Sequence, residues 1–345
     1  MTAAALGPFD RLRAGPLFPL ARRWKGSSTA GDSPHCPMWI RTHVLRQFAA
    51  GGSHNVAIKL DQTVVVWGNN QSGQCAVPHD LGRLTAIAAG QVHSLALKTD
   101  GTVRAWGSNK YGQTSVPWAL RNVVAVAAGG FHSLALTADG IVVAWGHGEL
   151  GQTDVPPDLS NVVAIAAGRH HNLALQRDGT LRAWGYNEHG QATVPVGLSN
   201  VVAMAGGGSH SLAIRSDRTV VGWGDDMYSQ SWVPPGLTNV VAVAAGSVHS
   251  MALNADGTVR VWGGNFSGQT SLPTGLGNVV AISSSSGWHN LALKADGSIE
   301  AWGANENGQG LGSRSLVDVV VIAAGYRQSI ALKADGTVQI GRAHV

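Results

Sequence analysis

Histidine stands at positions 54, 93, 132, 171, 210, 249 and 289, with Gln328 in the same phase, at steps of 39 residues and one of 40. Most are followed by an Asp-Gly pair and then by a Trp, at positions 67, 106, 145, 184, 223, 262 and 302. Imidazole and carboxylate side chains could ligate a metal or run acid–base chemistry. The repetition argues against both. A catalytic centre uses a residue once, and a metal needs three or four ligands converging on one point, whereas copies related by rotation spread them around a ring. The recurring His is therefore expected to be structural, hydrogen-bonded to a neighbouring strand. No Ser-His-Asp set, carboxylate pair or sialidase-type Asp box stands out. The blade-specific groups that could serve an enzyme are Asp225-Asp226 beside Met227, and Glu188-His189, all of which also fit solvated loops.

These residues need elements to hold them. Seven full copies begin at Leu45, Leu84, Val123, Val162, Val201, Val240 and Val279, and a partial eighth begins at Val319. Each contains a run such as VVAVAAG, then HSLAL, then TVRAWG, then a stretch near QTSVP, which read as four short strands bounded by turn residues. Asp-Gly between the second and third suits a two-residue hairpin. Proline near the end of most copies (Pro78, Pro117, Pro156, Pro195, Pro234, Pro273) marks the fourth as the edge. The pattern predicts an all-β, seven-bladed β-propeller of four-stranded antiparallel blades with a partial eighth repeat. Ala-Ala-Gly would sit near the axis, where blades converge, and Trp would fill the widening gap farther out.

Composition agrees: 46 Gly, 12 Trp and a charged fraction of 13% describe short strands and tight turns. The net charge of +4 resides wholly in residues 1–44, which hold six basic residues against Asp10 and Asp32. The repeats are electrically balanced, which disfavours a nucleic-acid partner. Cys36 and Cys75 make no disulfide framework. No apolar run is long enough to cross a bilayer, so no membrane partner is expected, and no secretory signal can be read. Residues 1–44 read as an unstructured leader or a misplaced start, 45–340 as the propeller, and 341–345 as an artefactual tail, since Gly341 stands where Trp is due and IGRAHV resembles a translated adapter.

The string AAGxxHSLALxxDGTVxAWGxNxxGQTxVP, recurring in register from Leu45 to Ile340, resembles the regulator of chromosome condensation repeat family in its short form. The resemblance implies a seven-bladed propeller. It also implies a choice of functions: nucleotide exchange on a small GTPase through a wedge inserted in the ring and a basic tail, ultraviolet-B sensing through clustered tryptophans beside arginines, or inhibition of a secreted β-lactamase through one face. No insertion between copies exceeds one residue, so nothing resembles the wedge, and only Trp288 resembles the photoreceptor cluster. The inhibitor branch shares AWGxNxxGQTxVP, and through it alone a secreted or cell-surface location is implied.

Function is read from the departures. If strands alternate in direction, the loop before each His and the loop after each Trp-Gly emerge on one face, and the Asp-Gly turns on the other. Variation concentrates on the first face, which would display Tyr111, Phe131, Leu150, Arg169, His170, His189, Met227, Tyr228, Phe266, Trp288, Tyr326 and Arg327. Aromatics and Arg are enriched in interface hot spots. The expected function is a non-catalytic, monomeric protein-binding scaffold that needs no cofactor. The alternatives are an exchange-factor-like regulator of a small GTPase and a propeller enzyme acting on glycans.

Overall fold

A computed structural model describes residues 45–59, 62–284, 287–310 and 316–341. Residues 1–44 and 342–345, on which the leader and most of the expected tail fall, lie outside them. The described residues form eight separate antiparallel sheets, each of three consecutive strands. In the second copy these are Leu84–Ala89, His93–Lys98 and Val103–Gly107; in the eighth, Val319–Ala324, Ser329–Lys333 and Val338–Gly341. Gly341, expected in the tail, thus ends a strand.

Two expectations are corrected. The blades have three strands, not four, because the QTSVP stretch satisfies its backbone locally. Asn109 Oδ1 accepts from the Thr114 N–H at 3.0 Å and Gln113 Oε1 from the Tyr111 N–H at 2.9 Å, so the chain closes into braced turns and offers no ladder. The described sheets number eight where seven blades were expected, because the partial eighth repeat forms a three-stranded sheet of its own that packs on the first. The Tyr326 N–H donates to the Gly51 carbonyl, and Ile330, Leu332 and Val338 share a core cluster with Ala57. The ring closes by face-to-face packing of its last blade on its first.

First strands touch the first strands of neighbouring blades, so they line the axis, while third strands lie outermost. Middle strands such as His132–Thr137 are buried on both sides, which explains their unbroken apolar run. Their alternation sorts the contacts. Leu134 and Leu136 pack with Ala174 and Trp184 of the next blade, while Ala135 on the opposite side packs with Leu95 and Leu97 of the previous one. Trp therefore fills the gap between blades, as its spacing predicts.

The Asp-Gly hairpins hold one more loop residue than the two expected. Gly101 alone takes a positive φ, of 75°, and pairs its N–H with the Lys98 carbonyl, while the Lys98 N–H pairs with Thr102. The loop thus holds three residues, with Gly at its left-handed position. Asp100 accepts from the Thr102 N–H and hydroxyl, which hold its carboxyl down to about 2. Asp is a turn brace. Blade five has Asp217-Arg218 here, and Arg218 is driven to a φ of 66°.

Candidate functional site: the aromatic rim

The rim stands on a framework of buried polar residues. Each marker His is buried, and the ring nitrogen Nε2 meets a Ser or Asn of the next blade: His93 to Ser133 at 3.1 Å, His132 to Asn172 at 2.7 Å, His171 to Ser211 at 2.8 Å, His210 to Ser250 at 2.9 Å. Ser133 donates its own hydroxyl to the Gln113 carbonyl at 2.9 Å, so its oxygen must accept from His93. Nε2 therefore carries the proton. The Gln113 carbonyl receives a second donor, the indole N–H of Trp145, at 3.0 Å. The same double acceptance recurs at Gln152, Gln191, Gln230 and Gln269. One blade gives a His and a Gln carbonyl, and the next gives a Ser or Asn and a Trp.

Burial holds these imidazoles neutral. Desolvation pushes His93, His171 and His210 down to about 3, and His54, His132, His249 and His289 to about 4. The glycine three residues before six of the seven His makes the room. A Cβ on Gly129 would lie 2.1 Å from His132 Cε1, so any larger residue would evict the ring. The spacing of His and Trp was legible in the sequence. The part of Gln was not, since its main-chain oxygen does the work and any residue carries one.

The same Gln fixes the loop that displays the variable side chains. Its Oε1 accepts from the backbone N–H two residues earlier, at Tyr111, Leu150, His189 and Tyr228. These loops are held in place by the blade framework.

Ring contacts then join side chains of adjacent blades on one face. Tyr111, after the third strand of blade two, meets Phe131, from the loop before the His of blade three, with centroids 5.5 Å apart. Phe131 stacks on His170 at 6.5 Å, His170 meets Tyr186, and Tyr186 meets His189. A second arc runs from Tyr228 to Phe266 at 4.8 Å and on to Trp288 at 6.0 Å. The two loop families therefore share a face. Eight of the expected residues belong together in this sense, or nearly so: Tyr111, Phe131, His170 and His189 in one arc, Tyr228, Phe266 and Trp288 in the other, and Met227 exposed beside Tyr228. Leu150 is exposed, Arg169 is half-buried, and Arg327 lies over the ring of its own neighbour Tyr326 at 5.5 Å. None of these four makes a ring contact linking it to an arc among the described residues.

Two arc members were missed. His147 packs edge-on to Tyr111 at 4.7 Å, and Tyr186 bridges His170 to His189. Both occupy the residue after Trp-Gly, which reads Asn69, Ser108, His147, Tyr186, Asp225, Gly264 and Ala304 along the chain and varies as freely as the positions chosen.

Burial of His170, reinforced by Arg169 and His147, lowers its ring to about 4, so His170 is neutral at physiological pH. The carboxylates that could serve an enzyme act as braces: Glu188 accepts from the Tyr186 hydroxyl at 2.6 Å, Asp225 from the Met227 N–H at 3.0 Å, and Asp226 from the Ser231 hydroxyl at 3.0 Å. Among the described residues no cluster of three His, Cys, Asp or Glu could hold a metal, and no helix is long and apolar enough to cross a membrane.

The model of the Regulator of chromosome condensation (RCC1) repeat matches residues 45–74, 84–113, 123–152, 162–191, 201–230, 240–269 and 279–309. The chain belongs to this repeat family. Its matched segments run from the first strand of a blade to a Gln, and in the first six that Gln carbonyl accepts from the next blade, so the family's repeat coincides with this clasp. Among solved structures, yeast RCC1 (Prp20) bound to Kap60 is similar over 94% of this chain and 97% of that one, at 19% identity and a TM-score of 0.61. Prp20p from Saccharomyces cerevisiae, in a study of its binding to Gsp1p and histones, covers 87% and 83% at 20% identity and a TM-score of 0.55. The ectodomain of the Physcomitrella patens receptor kinase CR4 covers 76% and 74% at 21% identity and a TM-score of 0.60. These likenesses establish the β-propeller fold. No curated protein sequence matches.

Proposed function

We propose that this propeller is a non-catalytic scaffold that captures a protein partner on its aromatic face. The observation that carries the proposal is the pair of arcs. Rings from successive blades meet across blade boundaries while Phe266 and Met227 stay 60% and 73% exposed. Aromatic side chains bury large areas at small entropic cost and dominate interface energetics. Drift in exposed loops would favour small polar residues, not rings in contact.

Leu150, Arg169, Tyr326 and Arg327 are assigned to the margin of the same surface, where Arg can pair with carboxylates or stack on rings. The partner is a protein. Nucleic acid and membrane are not expected as partners, the free protein is a monomer, and no cofactor takes part. The test is affinity capture with the full chain and with Phe131→Ala, Tyr228→Ala and Trp288→Ala combined. Loss of the captured proteins with unchanged melting supports the proposal, and equal capture rejects it.

A second reading, an exchange-factor-like regulator of a small GTPase, draws support from the likeness to Prp20p, whose structure is described together with its binding to Gsp1p. Acceleration of labelled-nucleotide release from a small GTPase would favour it. A turnover screen on glycans addresses the third reading, a propeller enzyme, through Asp225, Asp226, Glu188 and His189.

A further inference from the structure

The turns that lead from one blade into the next carry a recurring ion pair. Arg104 donates to Asp80 and Arg182 to Asp158, each Arg standing 24 residues after its Asp. The pair ties the turn that ends one blade to the third strand of the blade that follows. Arg260 holds the same place on the third strand of blade six, but the turn before it reads Pro234-Pro235-Gly236, and Gly236 stands where the carboxylate is due. Among the described residues Arg260 makes no ion pair.

A second cation borders the same place. The hairpin of blade five puts Arg218 at a φ of 66°, where most other copies have Gly. Its carbonyl accepts from the Val240 N–H at 3.0 Å, which docks this turn against the start of blade six. Arg218 makes no ion pair either among the described residues. Backbone strain of this kind clusters at ligand sites. Arg218 and Arg260, both exposed, line one recess of about 770 Å³ with Pro234, Pro235, Gly236 and Leu237. That volume lies within the range of small-ligand sites, about 300–1,000 Å³. Asp256 also borders the recess, with its carboxylate engaged by the Thr258 N–H at 2.9 Å and hydroxyl at 2.7 Å.

We propose that this recess, between blades five and six on the Asp-Gly face, binds a small organic acid whose carboxylate takes on Arg260 the place that Asp158 takes on Arg182, with Arg218 as the second donor. A guanidinium matches a carboxylate in geometry and can hold both of its oxygens. Two cations against Asp256 leave one positive charge, which one carboxylate balances and a phosphate dianion overshoots. The absent Cβ of Gly236 leaves the space, and Pro234, Pro235 and Leu237 offer an apolar wall to the body of the acid. The site lies on the face opposite the aromatic rim and does not rest on the capture proposal.

The probe is benzoate, titrated at constant ionic strength and neutral pH into the full-length ¹⁵N-labelled chain, with the backbone amides of Gly236, Thr238 and Arg260 as reporters. The expected result is a saturable shift of these signals with a midpoint in the millimolar range, while benzamide, the neutral isostere, leaves them in place. Arg260→Gln and Arg218→Gly, both at exposed positions, should fold and each weaken binding at least fivefold. Gly236→Asp, which copies Asp158, should supply the carboxylate from within and abolish binding. Equal affinity of the chain and of Arg260→Gln for benzoate would overturn the proposal, as would an equal response to benzamide. Inorganic phosphate binding at least tenfold more tightly than benzoate would overturn the assignment to a carboxylate.

Discussion

Lowering the pH should unfold this ring near pH 5 to 6, well above the range in which carboxylates titrate. Seven buried His have ring pKa values depressed to about 3 or 4 in the folded chain. In the unfolded chain each returns to about 6.5. The unfolded state then binds more protons between these limits, so stability is complete above pH 6.5 and is lost as the pH falls toward 4. At pH 5.5 one such His costs about 1.4 kcal/mol, and seven together roughly 10 kcal/mol, comparable with the whole stability of an ordinary domain at about 5–15 kcal/mol. The turn aspartates, whose carboxyls are also held low, contribute only at more acid pH. The assay is denaturant unfolding at fixed pH values from 7.5 to 5, followed by tryptophan fluorescence. The slope of stability against pH should correspond to several protons taken up on unfolding, and His171→Gln, which copies Gln328 of the eighth blade, should reduce it by about one. A flat profile between pH 7 and 5.5 would refute the argument that the clasp needs neutral imidazoles.

Three further outcomes follow from the same geometry. Gly129→Ala places a Cβ 2.1 Å from the His132 ring, and the loss of that ring's seat with its hydrogen bond to Asn172 should cost about 2–5 kcal/mol in chemical denaturation. Arg218→Gly should raise stability by about 0.5–1 kcal/mol, because Arg218 holds the left-handed position that Gly fills in most other copies; a lower melting temperature would contradict this. Gln328→His should add about 1 kcal/mol by giving Asn55 Oδ1 the donor it lacks, since Gly325 keeps the small residue that seats a ring in the other blades; an unchanged melting temperature would contradict it.

Much of the architecture was legible because the repeat prints each constraint many times. The inward Ala-Ala-Gly, the inter-blade Trp and the structural His are all side-chain requirements, and seven copies separate them from chance. The fourth strand was not legible. Proline and β-prone residues in QTSVP look like an edge strand, while the competing fold depends on Asn109 and Gln113 capturing backbone N–H groups that a ladder would have used. The eighth blade was underrated because Gly341 replaces Trp, yet Ile330, Leu332 and Val338 suffice to pack it against the first. On the rim, Tyr111, Phe131, Tyr228, Phe266 and Trp288 were legible as departures from a constant background. His147 and Tyr186 escaped because they adjoin the invariant Trp-Gly.

Hydrogen exchange measured on the complex with the captured partner tests the central claim most directly. The account predicts slowed exchange confined to the loops carrying Tyr111, Phe131, His147, His170, Tyr186, Tyr228, Phe266 and Trp288. Protection confined to the Asp-Gly turns of the opposite face, around Gly101, Gly140 and Gly179, would contradict it.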